Sequence, residues 1–228
     1  MRIVSPLDKV AAPLNEEQAM TEFVPRPRIL TLSDLIFGLA LSISALTLIG
    51  HQPSTVAQFF TSLGLYGFSF LILISVWRVY SSITSVLPSE TSLLAGLNYL
   101  LLFLVSIEPY LFNELFAATS FSDLINNVYA YDLALLFLIL AAFNNALARE
   151  ERNLVAKNLL GFYRLSRNLS LLVAGVFAIS TVPPLGSTLL LSYSSGGVTF
   201  QFSVRSLLWV ASLAIGWSRI LLRRRLEA

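Results

Sequence analysis

The chain has 228 residues, of which 56% are hydrophobic and only 12% charged, with a mean hydropathy of +0.75. A soluble domain carries about 25% charged residues, so this composition excludes a water-clothed globule and points to an integral membrane protein. The formal net charge is only +2 and cysteine is absent, which excludes a strongly basic nucleic-acid face, disulfides and thiolate metal centres.

Residues 1–26 mix charges and prolines without an apolar run, so they read as a mobile cytoplasmic tail, not a signal peptide. A spanning helix needs about 20 apolar residues to cross about 30 Å of hydrocarbon. Six windows qualify, at 29–49, 58–79, 93–112, 124–147, 169–190 and 202–222, separated by turn-rich pieces such as HQPST, SVLPSETS and YSSGG. The connection between the fourth and fifth windows is long and charged, and its pattern suggests a short amphipathic piece on the membrane surface. Pro183–Pro184 is expected to kink the fifth span, with neighbours satisfying the freed carbonyls. Fourteen of the fifteen basic residues fall before span one, at the end of span two, between spans four and five, or at the C-terminus; Arg205 stands on the other side. The positive-inside rule then puts both termini in the cytoplasm. The expected fold is all-α and polytopic, with six transmembrane helices between the tail and a basic cytoplasmic end at 223–228.

The first span opens RILTLSDLIFGLALSISALTLIG. Arg28 and Asp34 are six residues apart, which separates them by about 9 Å and 120° on a straight helix. They cannot form a close pair there, and each must find partners on other helices or subunits. A carboxylate inside a bilayer marks either function or a tight contact, and both readings of Ser33–Asp34 are open. Beyond it, Leu35, Leu39, Ser42, Leu46 and Ile49 recur at spacings of 4, 3, 4 and 3, a narrow seam of the kind that lines an interface between like helices. Gly38 and Ala45 flank one side, and Ala40 with Ser44 makes a small-xxx-small pair on another. Around a symmetry axis the seam makes a hydrophobic throat with one hydroxyl ring; the alternative is an ordinary buried helix with leucine as core.

Arg28-x-x-x-Leu32-Ser33-Asp34 resembles the R-x-x-x-F-S-D signature of the transmembrane protein 175 family, with leucine replacing phenylalanine. Trp77 in FLILISVWRVY stands where the family has a tryptophan, and NYLLLFLVSIEPYLF is similar to its N-x-L-L-L-x-F-x-x-x-x-P pattern. The resemblance covers about residues 28 to 222, with only the first motif specific. Tyr80 and Ser81 occupy the places where the family usually has histidines, so any inner-mouth network is built differently here, and Glu108 before Pro109 is a charge the pattern does not require. A second FSD at 121–123 lacks the arginine and reads instead as a helix N-cap at Ser122 or Asp123.

The resemblance implies a potassium-permeable channel of prokaryotic membranes, a homotetramer whose first helices line the pore without a carbonyl filter loop. Transferred by position, it puts the constriction at Leu39, with Leu35 and Leu46 along the same ridge, Ser42 offering an ion-contacting hydroxyl, and Arg28, Ser33, Asp34 and Trp77 acting in structure and gating. Partners are then potassium ions, the lipid bilayer and further copies of the chain; no catalytic residue, cofactor or resident metal is expected. Of the other polar residues, Glu108 and Asp132 are candidates to pair with Asn98, Arg205 or tyrosines, while Asn144 and Asn145 are expected to bond neighbouring helices. Arg78 is placed to snorkel, and His51 sits in an outer turn. A proton- or cation-coupled carrier using Asp34, Glu108 and Asp132 is the alternative, and a non-conducting scaffold the third. An intramembrane enzyme is disfavoured by one histidine, no cysteine and no HExxH or GxSxG motif.

Overall fold

The computed structural model describes residues 28–50, 55–86, 92–115, 122–149, 157–195 and 198–227. In chain order these form α1 (Arg28–Gly50), α2 (Val56–Thr84), α3 (Ser92–Glu114), α4 (Ser122–Leu147), α5 (Lys157–Ile179), a one-turn α6 (Pro183–Ser187), β1 (Leu189–Ser195), β2 (Val198–Ser203) and α7 (Val204–Glu227). The architecture is helical, as expected, except that β1 and β2 pair as an antiparallel ribbon, which no sequence window suggested. The tail and the His51 turn lie outside the described residues.

Long apolar runs of leucine, isoleucine, phenylalanine and alanine make the helices, because in hydrocarbon every backbone N–H and C=O must be satisfied within its own segment. Gln58–Thr84, Ser92–Glu114 and Asp123–Leu147 are long and apolar enough to cross a membrane, and Thr31–Leu46 and Val204–Ser218 are shorter apolar stretches. Thr55 caps α2, its hydroxyl accepting from the Gln58 amide at 3.2 Å. The core lies between α2, α3, α4 and α5, around Leu73, Val76, Leu101, Val105, Leu133, Leu136, Leu140, Phe143, Val173 and Phe177, all buried. Lipid tails are as apolar as these side chains, so close packing and polar contacts hold the bundle together, not water exclusion.

Three expectations need correction. From Lys157 on, the charged connection is not a separate surface piece: α5 runs unbroken from Lys157 to Ile179, and residues 150–156 lie outside the described residues. Its buried residues Leu160, Tyr163, Ser166, Ser170, Val173 and Phe177 follow one helical stripe straight through. A hydropathy window registers only the apolar half of such a helix, whereas Arg164 rides on its outer side. The fifth span does not reach residue 190 and is not merely kinked. It stops at Ile179, and Pro183–Pro184 sit at the first positions of α6, where missing N–H groups cost nothing. The last helix begins at Val204, not at 202, because β2 takes up residues 198–203.

The carbonyls that the prolines cannot serve are both satisfied. Ile179 O accepts from the Val182 amide at 3.0 Å, and Ser180 O accepts from Arg205 Nε at 3.0 Å. Arg205 thereby neutralises the negative end of α5, and its NH1 reaches Asp123, in the first turn of α4, at 3.8 Å. This close approach needs a glycine: a Cβ on Gly186 would lie 2.5 Å from Arg205 NH2 and 2.7 Å from its Cζ.

Candidate functional site: the outward ridge of α1 and its anchor

Two opposite faces divide α1. Ser33, Phe37, Ala40 and Ser44 are buried, at 0%, 1%, 2% and 0% exposure, against α2 and α3. Leu35, Leu39 and Leu46 are 67%, 57% and 60% exposed, and Ser42 is exposed with them. The two sets are offset by two residues, about 200° of helical rotation, so burying one set in the protomer turns the other outward. The small-xxx-small pair Ala40–Ser44 thus serves contacts within the protomer. The leucine seam does not, and it is not the core of a lone subunit.

Ser42 donates its hydroxyl proton to Gly38 O, one turn back, at 2.8 Å. Its proton is thereby spent within the helix, and its oxygen lone pairs stay available on the exposed face. On the ridge this is the one hydroxyl among leucines, the chemistry that a partly dehydrated cation can use.

At one end of the ridge the anchor forms. Asp34 Oδ1 accepts from Trp77 Nε1 at 3.1 Å, which ties α1 to α2. Ser33 Oγ lies 2.6 Å from the Tyr80 hydroxyl, and Tyr80 donates to Asn98 Oδ1 at 2.7 Å. A phenol has one proton, so Ser33 is the donor to Tyr80 and the chain runs Ser33 to Tyr80 to Asn98 across α1, α2 and α3. Phe37 packs its ring 5.6 Å from that of Tyr80. The structure therefore brings Ser33, Asp34 and Trp77 together; the side chain of Arg28 lies outside what is described. Sequence reading missed Tyr80 as the central residue. The available signal was its position one turn after Trp77, on the same side of α2.

Asn98 is thus held by Tyr80, not by Glu108 or Asp132, and Arg205 serves Ser180 and Asp123. Glu108 Oε1 does meet a tyrosine, accepting from Tyr129 at 3.1 Å, and it also accepts from Ser69 at 2.8 Å. Asn145 accepts from Arg167 of α5 at 3.1 Å, a bond between helices. Asn144 does not make one: it donates to Leu140 O of its own helix at 2.8 Å, because a short amide on a helix reaches the preceding turn first. Arg78 is exposed, as a snorkelling side chain must be.

The pattern of the family described as endosomal/lysosomal potassium channel TMEM175 matches residues 28–109, which covers α1, α2 and α3 as far as Pro109. Residues 28–109 thus carry the pattern of the TMEM175 family. The matched stretch carries the whole anchor, from Ser33 and Asp34 through Trp77 and Tyr80 to Asn98. A crystal structure of a lysosomal potassium-selective channel TMEM175 homologue from Chamaesiphon minutus has a similar fold, with a TM-score of 0.53 at 18% identity over 83% of this chain and 96% of that one. No curated protein matches the chain. The matched pattern and the long apolar helices together make it a membrane protein.

Proposed function

We propose that the chain forms a potassium-permeable cation channel in which the α1 helices of several copies, four by resemblance, surround the ion path. The carrying observation is the ridge Leu35, Leu39, Ser42 and Leu46, exposed opposite the buried face of the same helix. The match of residues 28–109 to that channel family supports the cation-channel class. In this reading α1, α2, α3, α4, α5 and α7 are the six spans, and the basic ends of the chain face the cytoplasm.

The mechanism follows from the side chains. A closed ring of Leu39 excludes water, and a cation meets a barrier of dewetting and desolvation. Rotation or outward motion of α1 wets the throat, and Ser42 oxygens replace part of the hydration shell. Such a site favours potassium over sodium modestly, because potassium gives up water more readily. The Ser33–Tyr80–Asn98 chain and the Asp34–Trp77 bond hold the end of each α1 against its own α2 and α3, so the ridge moves only when those contacts yield. Potassium flux into liposomes and single-channel recording test the reading: Leu39→Ala should raise conductance several-fold by thinning the dry constriction. Unchanged unitary current would remove Leu39 from the pore, and saturable flux without unitary steps would favour the coupled-carrier reading.

A further inference from the structure

We propose that neighbouring copies in the channel meet through α2 and α3, an aromatic row on one copy's α3 seating in a glycine notch on the next copy's α2; this rests on the reading of the chain as a multi-copy channel. Both helices pack against α1, and the Ser33–Tyr80–Asn98 chain ties all three together on its buried side. Turning the α1 ridge toward an axis therefore leaves α2 and α3 as its flanks, the helices set to meet the adjacent copies.

The two flanks carry complementary outer surfaces. On α2, Phe60, Gly64, Gly67 and Leu71 follow spacings of 4, 3 and 4, and on α3 Tyr99, Phe103, Ser106 and Tyr110 do the same, the repeat of a helix–helix seam. Each set lies roughly opposite the buried side of its own helix, marked by Leu73 and Val76 on α2 and by Leu101 and Val105 on α3. A Cβ at Gly64 or Gly67 would meet nothing within 4 Å, so within one copy this stretch of α2 backbone is bare. Tyr99, Phe103 and Tyr110 stand 60%, 59% and 60% exposed. Notch and rings thus fit each other in shape, and one copy uses neither.

Their levels match as well. Residues 85–91 join the end of α2 to the start of α3, so the start of α2 and the end of α3 lie on the same side of the bundle. Gly67 is 11 residues from Val56 and Phe103 is 11 from Glu114, about 16 Å along each helix from that side. Glycine inside a helix is destabilising, and close approach of a neighbouring helix offsets this in a way that loose lipid tails do not. Because the contact joins two different surfaces, it repeats head to tail and closes into a ring, the geometry that a central pore needs.

Assembly of the full chain in detergent, read by native mass spectrometry, is the test. Gly64→Leu with Gly67→Leu fills the notch. The added side chains meet nothing within one copy, so helical content by circular dichroism should be unchanged while the oligomer falls to monomers. Should that variant not fold, a second measurement decides: the chain has no cysteine, so Gly67→Cys with Phe103→Cys introduces a defined pair. In membranes a short bis-thiol linker should give a ladder of dimers and higher forms with both substitutions, and none with either alone. Survival of the oligomer in the leucine variant, absence of the ladder, or linking by one cysteine alone would overturn the proposal. Dimers through Leu39→Cys without the ladder would keep the α1 pore and overturn this interface, whereas an unaltered chain that is monomeric would remove both.

Discussion

At Tyr80 a single phenolic hydroxyl accepts from Ser33 and donates to Asn98, so one buried atom links three helices. Removing it leaves the Asn98 carbonyl without this donor in a dry interior, a loss on the order of 1–3 kcal/mol. Tyr80→Phe should therefore lower the thermal stability of the purified protein, as read by tryptophan fluorescence during melting. The phenyl ring still fills the space against Phe37, so a Tyr80→Phe variant that melts like the unaltered protein, beside a Tyr80→Ala variant that does not, would show that packing, not the hydroxyl, is what matters. Ser33 and Asp34 were legible as important because a serine and a carboxylate are costly in an apolar helix. Tyr80 was not, because an aromatic in a membrane helix looks like ordinary core until its hydroxyl is seen between two polar partners.

Among the elements, the junction of α5, α6 and α7 depends on Gly186, where any side chain would meet the Arg205 guanidinium. Gly186→Ala should push Arg205 off Ser180 O and leave the end of α5 uncompensated, costing roughly 1–2 kcal/mol. Gly175→Ala, in α5 with nothing within 4 Å of the added carbon, should be neutral or mildly stabilising, since alanine is about 1 kcal/mol better than glycine in a helix. Parallel melting of the two variants checks this, and equal behaviour would mean that Arg205 relocates freely. The sequence marked Pro183–Pro184 as a disturbance and foresaw that neighbours must serve the freed carbonyls. It gave no sign that Arg205, 25 residues on from Ser180, was that neighbour, because the ribbon that folds α7 back is a tertiary arrangement.

For the whole molecule, the decisive matter is what the α1 ridge faces. The chain has no native cysteine, so single cysteines report on assembly without background. Leu39→Cys in membranes should give disulfide-linked dimers on mild oxidation, while Leu138→Cys, 45% exposed on α4, should stay monomeric on denaturing gels. The reverse pattern would turn the α1 ridge toward lipid and remove the pore with it.

Composition alone made this a membrane protein, since a chain with so few charges cannot cover itself in water. Spacing alone put Leu35, Leu39, Ser42 and Leu46 on one face, since helical periodicity is a property of the backbone. Only the folded arrangement decided which face was which. Phe37, Ala40 and Ser44 are no more apolar than the leucines opposite, and in a medium as oily as the protein interior, shape and polar partners choose the buried side. The same limit hid which tyrosine Glu108 meets, Tyr129, and that Ser69 joins it, because three residues on three helices meet only after those helices have packed.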